Sequence, residues 1–110
     1  MASDVIKNRQ DFQRVLDETI RMVGDRIRKL PKFQPYENIE YQLDKMWRWT
    51  VNGRTPTADE LKQIDIGLIA VRELEPMKET DEDQTFCTNL HELNYYWDLW
   101  PDDPNVEAQD

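Results

Sequence analysis

One cysteine, one histidine, one serine and three separated glycines stand among 110 residues, and no apolar run is longer than Leu68-Ile69-Ala70-Val71. Each scarcity closes a class of explanation. Cys87 alone cannot form an internal disulfide, which fits a reducing compartment. Besides Cys87 and His91 the sequence holds no other Cys or His, so a zinc site would lack its second pair. Gly24, Gly53 and Gly67 belong to no phosphate-cradling pattern, which disfavours a nucleotide-hydrolysing enzyme. A membrane helix needs roughly 18 apolar residues, and none is in sight. The opening Met1-Ala2-Ser3-Asp4 runs into a charged amphipathic segment with no apolar leader core, so a cytoplasmic protein is expected. With no linker composition and no repeat, residues 1–110 read as one domain, its ordered core spanning about 5–100 and an acidic tail spanning 101–110.

What is abundant is negative charge, unevenly spread. Residues 1–55 carry 11 Lys/Arg against 8 Asp/Glu, a balance of +3, whereas residues 56–110 carry 3 against 15, a balance of −12. Such a half-chain repels phosphate backbones and anionic headgroups, and it attracts a basic partner while speeding its approach at low salt. Neither nucleic acid nor membrane is an expected ligand.

Apolar spacing and punctuation predict an all-α fold, an antiparallel bundle of about four helices with an acidic C-terminal tail. The first helix carries Phe12, Leu16, Ile20, Val23, Ile27 and Leu30 on one face and ends at Pro31; it starts at Ser3 or Asp4, or after a break near Asn8. Gly24 inside it leaves room for a close helix neighbour. The second follows Pro35, presents Tyr36, Ile39, Leu43, Met46 or Trp47, and Thr50, and stops at Asn52-Gly53. Thr57 with Glu60 forms a capping-box pattern for a third helix running to about Glu75 before Pro76. Leu61, Ile64, Ile66, Leu68, Ala70, Val71 and Leu74 cover more than half of its wheel, so it is expected to be central and the most buried, with Ile69 projecting from its narrow polar face. The fourth begins near Thr80 or Asp81, where Asp81, Glu82 and Asp83 favour the positive end of the helix dipole. Its core stripe is Phe86, Leu90, Leu93, Trp97 and Trp100, and Pro101 ends it.

Candidate chemistry is thin. Cys87 and His91 share a helix face, with Asp83 one turn earlier, but a nucleophile pair also needs an oxyanion hole and a pocket that nothing in the sequence supplies. The carboxylates read as solvated surface, since spacing alone brings no two into one pocket. No catalytic residue, cofactor or metal is expected. Among the aromatics, Trp47, Trp97 and Trp100 are assigned to the core, leaving Trp49, Tyr41 and Tyr95 as surface aromatics of the kind that anchors interfaces.

The run Ile66-Gly67-Leu68-Ile69-Ala70-Val71-Arg72-Glu73-Leu74-Glu75, an acidic turn, and a helix carrying Tyr95-Tyr96 resemble a family of small bacterial type VI secretion immunity proteins. The likeness extends upstream through Arg26-Ile27-Arg28-Lys29-Leu30-Pro31 and Gln42-Leu43, and covers roughly residues 12–97. The tryptophan-rich second helix and the acidic tail from Trp100 onward depart from it. The resemblance implies a helical protein without enzymatic activity that binds the C-terminal toxin domain of an effector and obstructs its active site, so protecting the producing cell and its kin. The toxins implied degrade NAD(P), or belong to related polymorphic classes that transfer ADP-ribosyl groups or synthesise nucleotides.

On that reading the partner is a cognate toxin domain with a basic active-site cleft, in the bacterial cytoplasm. The expected contact surface is Asp65, Ile69, Arg72 and Glu73 on the polar face of the third helix together with Glu79, Asp81, Glu82 and Asp83 in the acidic turn, Ile69 being an apolar anchor among charges. The sequence leaves room for a homodimer of the free chain. Two rivals stay open: an acidic mimic of DNA that occupies a nucleic-acid-binding protein, and a small enzyme using Cys87 and His91.

Overall fold

The computed structural model describes residues 6–100, and among them every regular element is helical. Helix α1 spans Arg9–Lys29 and α2 spans Gln34–Thr50, ending in a short 3-10 turn at Val51–Gly53. Then come the single turns α3, Ala58–Leu61, and α4, Ile66–Ile69. The latter continues through a wide π-helical turn at Ala70–Leu74 and a 3-10 turn at Glu75–Met77. Helix α5 spans Asp81–Leu99. Ser3, Asp4, Pro101 and the acidic tail lie outside the described residues.

The ends are set by local chemistry. Of the two starts left open for α1, the structure has the later one: the Asn8 side chain accepts from the Asp11 backbone N–H at 2.7 Å. Lys32, at φ 71°, turns the chain from α1 into α2, a left-handed conformation more usual for glycine. Asn52 and Gly53, both at positive φ, stop α2 where expected. Thr57 and Glu60 form the anticipated capping box, and Thr80 forms a second one with Asp83.

Helix α1 packs on α2 and α5, α4 lies along α5, and α2 touches α4. The expected stripe of α5 is buried throughout, and Phe12, Val15, Leu16, Val23, Ile39, Leu43 and Met46 meet it. Phe12 sits in an aromatic nest, stacked on Tyr96 with centroids 5.3 Å apart and on Trp97 at 6.1 Å, and edge-on to Trp100 at 5.2 Å. Toward its C-terminal end α1 climbs out of the core: Ile20 and Ile27 are half-buried and Leu30 is exposed. No helix of the described residues is long and apolar enough to cross a membrane.

Four expectations change. The third helix is not continuous, because Ile64 and Ile66 are both buried. Two residues apart on one helix they would point about 200° away from each other, and the turn between α3 and α4 brings both inward. The buried stripe thereafter is Ile66, Ala70 and Leu74, which leaves Leu68 at 49 % and Val71 at 54 % exposure. That segment therefore lies on the flank of the bundle, not at its centre. Met46 takes the core position of α2, so Trp47 is 41 % exposed while Trp49 packs against the core, its ring 6.2 Å from Trp97. Finally, a Cβ on Gly24 would meet only the Arg28 guanidinium, at 3.9 Å, so no helix approaches closely there.

Candidate functional site

The acidic turn at the head of α5 divides into one half-buried, fully engaged carboxylate and three exposed charges. Asp83 accepts from the backbone N–H of Glu79 at 2.9 Å and of Thr80 at 3.1 Å, and pairs with Arg26 of α1 at 2.8 Å. The backbone donors, with the guanidinium beside them, hold its carboxyl down at about 2. Arg26 in turn stacks over Phe86 at 4.6 Å and reaches the Tyr36 hydroxyl at 3.5 Å. Asp83 thus fastens the turn to α1. Glu79, Asp81 and Glu82 are exposed and pair with no cation among the described residues.

Asp65 caps α4, Ile69 ends it, and Arg72 and Glu73 stand in the π-helical turn that follows. Asp65 is held in place by Gln42 of α2, whose Nε2 donates to its Oδ1 at 2.6 Å and whose Oε1 accepts from its backbone N–H at 2.8 Å. Arg72 and Glu73 are exposed. Ile69 is not the exposed anchor expected of it: it packs half-buried against the core, and Leu68 and Val71 are the apolar side chains presented to solvent. The shallow groove they border, between α4 and α5, is also lined by His91, Asn94, Tyr95 and Asp98. Leu68 and Val71 were not expected at the surface, because a continuous third helix would have turned both inward. The signal available was Ile64-Asp65-Ile66, an apolar spacing of two that no straight helix can bury on both sides.

Cys87 and His91 are not a reactive pair. Cys87 is 2 % exposed, and burial pushes its thiol up. His91 instead contacts Glu75 at 3.1 Å, and the same carboxylate takes Lys78, so the lysine first and the imidazole second hold Glu75 below the usual range. Among the described residues no group of three His, Cys, Asp or Glu side chains is placed to hold a metal.

A family model described as Tsi6 matches residues 12–98. No curated protein and no solved structure matches the chain.

Proposed function

The chain belongs to the Tsi6 family of type VI secretion immunity proteins, and from that membership we propose that it binds the toxin domain of its cognate effector and covers the active site. The observation that carries the reading is the exposure of unpaired carboxylates together with apolar side chains. Glu79, Asp81 and Glu82 stand exposed and without cations among the described residues, and Leu68 and Val71 stand exposed on the segment that also carries Asp65, Arg72 and Glu73. Burial of the apolar pair supplies affinity, while the carboxylates steer encounter and fix register.

The proposed contact surface is therefore Asp65, Arg72, Glu73, Glu79, Asp81 and Glu82, with Leu68 and Val71 at its centre. Ile69 supports it from beneath, and Asp83 holds the turn in shape. The proposed target cleft is basic, as enzymes that bind NAD(P) or related nucleotides need cations for the phosphates. A negative flank without reactive groups of its own then acts as a plug, in the bacterial cytoplasm where such a toxin would work.

The test uses the purified chain and the C-terminal toxin domain of the effector encoded beside it. A stable stoichiometric complex, with NAD(P) consumption by the toxin domain abolished at equimolar chain, is the expected result. Undiminished toxin turnover in the presence of excess chain, or turnover of NAD(P) by the chain unaided, defeats the reading.

A further inference from the structure

The groove between α4 and α5 has rigid walls. Gly67 and Asn94 are joined across it by a 2.7 Å hydrogen bond, and Gln42 fixes Asp65 at one end. Its rim carries Leu68, Val71 and Tyr95, all exposed. At the α5 end sits Asp98, whose environment differs from that of the other perturbed carboxylates. Asp83, Glu60 and Glu75 are each lowered by hydrogen-bond donors, with Arg26, Arg54 and Lys78 among them. Asp98 is raised, and desolvation is the sole cause. No hydrogen bond or ion pair offsets that loss of water among the described residues. Asp98 is nonetheless exposed, and an unpaired carboxylate at the edge of a groove bordered by exposed apolar side chains is open to a cation that a partner supplies.

We propose that this groove receives an arginine or lysine of the toxin domain, which pairs with Asp98 while apolar side chains flanking that residue cover Leu68, Val71 and Tyr95. The inference rests on the immunity reading and deepens it, since it names the chemistry of the partner's contact. Charge complementarity selects the occupant. An acidic or purely apolar segment would leave Asp98 further desolvated and unpaired, which is costly. A guanidinium or ammonium replaces the water that docking would strip from Asp98, and its aliphatic stem lies well against Leu68 and Val71.

The experiment compares wild type with Asp98→Asn, with the double variant Leu68→Ser and Val71→Ser, and with Glu40→Gln on the exposed face of α2 as a control. Complex formation with the toxin domain encoded beside this chain is followed by surface plasmon resonance. Asp98→Asn is isosteric and breaks no hydrogen bond or ion pair among the described residues, so it should melt no lower than wild type while dissociating from the toxin domain about thirtyfold faster. The double variant should lose affinity by at least about a hundredfold, and Glu40→Gln should bind as wild type does. Wild-type chain that binds no toxin domain overturns the immunity reading and this inference with it. Wild-type binding that Asp98→Asn leaves unchanged overturns the inference alone, as does a loss of affinity equalled by Glu40→Gln.

Discussion

The side-chain carbonyl oxygen of Asn94 lies 2.7 Å from the backbone nitrogen of Gly67, and a Cβ built on that glycine would stand 3.2 Å from the same oxygen. Gly67 is in the first turn of α4, where a backbone N–H has no intrahelical acceptor. Asn94, itself buried in α5, serves as that acceptor from a different helix. Asn94→Ala should therefore cost about 1–3 kcal/mol, the range for leaving a buried donor unpaired. Gly67→Ala should also be destabilising, by about 1 kcal/mol, because the packed Asn94 cannot retreat and the helix-propensity gain is only of similar size. Urea unfolding followed by circular dichroism measures both; a Gly67→Ala chain more stable than wild type would contradict the close approach.

Acid should release the turn at the head of α5. The Asp83 carboxyl sits at about 2 in the folded chain against an ordinary 3.8, so between those values the unfolded chain binds more protons. Its stabilisation is then fully present above 3.8 and fades as pH falls toward 2. Asp83→Ala, which loses both the cap and the Arg26 pair, should cost about 1–3 kcal/mol near neutrality. The gap in stability between wild type and Asp83→Asn should narrow steadily on titration from about pH 5 down to about pH 2.5. A gap independent of pH would mean that the carboxylate charge is not what holds the turn.

Buried as it is, the Cys87 thiol should resist alkylation. Iodoacetamide labelling of the native chain should run at least about a hundredfold slower than in urea, since access requires local opening. Cys87→Ala should cost no more than about 1–2 kcal/mol and should leave toxin neutralisation intact. Loss of neutralisation by a folded Cys87→Ala chain would reopen the case for covalent chemistry.

Reversing Glu79, Asp81 and Glu82 to lysine removes the exposed charges and spares Asp83. Association with the toxin domain should slow about tenfold at low salt, and its salt dependence should flatten, while dissociation changes little. Some loss of stability, up to about 1 kcal/mol, is expected from placing cations at the positive end of the α5 dipole. Association rates that match wild type across a salt series would exclude this turn from the steering surface.

Trp97 joins the aromatic nest to α2 and to α3, stacking near Phe12 and Trp49 and donating from its indole N–H to the Glu60 carbonyl at 3.3 Å. Trp97→Ala should cost about 3–5 kcal/mol. Thermal melting that shifts by only a degree or two would show that the nest tolerates a void there.

Much of the fold could be read locally. The cap signals at Thr57 and Thr80, the stop at Asn52-Gly53 and the stripe from Phe86 to Trp100 each act within a few residues of themselves, and the structure has them where the spacing placed them. The candidate surface was legible in part. Arg72, Glu73, Glu79, Asp81 and Glu82 were expected at the surface and are exposed, whereas Asp83 and Ile69 are drawn inward.

The residue order alone dictated helix against strand, the caps at Thr57 and Thr80, the stop at Asn52-Gly53 and the lopsided charge, because these depend on neighbours along the chain. Which apolar side chains are left over for a partner depended on packing between helices. Leu68 and Val71 face water because the break before Ile66 rotates the buried stripe to Ile66, Ala70 and Leu74, and α5 covers only that stripe. Asp83 is paired and Asp98 is not, because α1 brings Arg26 to Asp83 at one end of α5, whereas the cation it brings to the other end, Arg9, lies over the Trp100 ring. A wheel drawn for one helix holds no information about either, since burial and pairing are properties of the contact between elements.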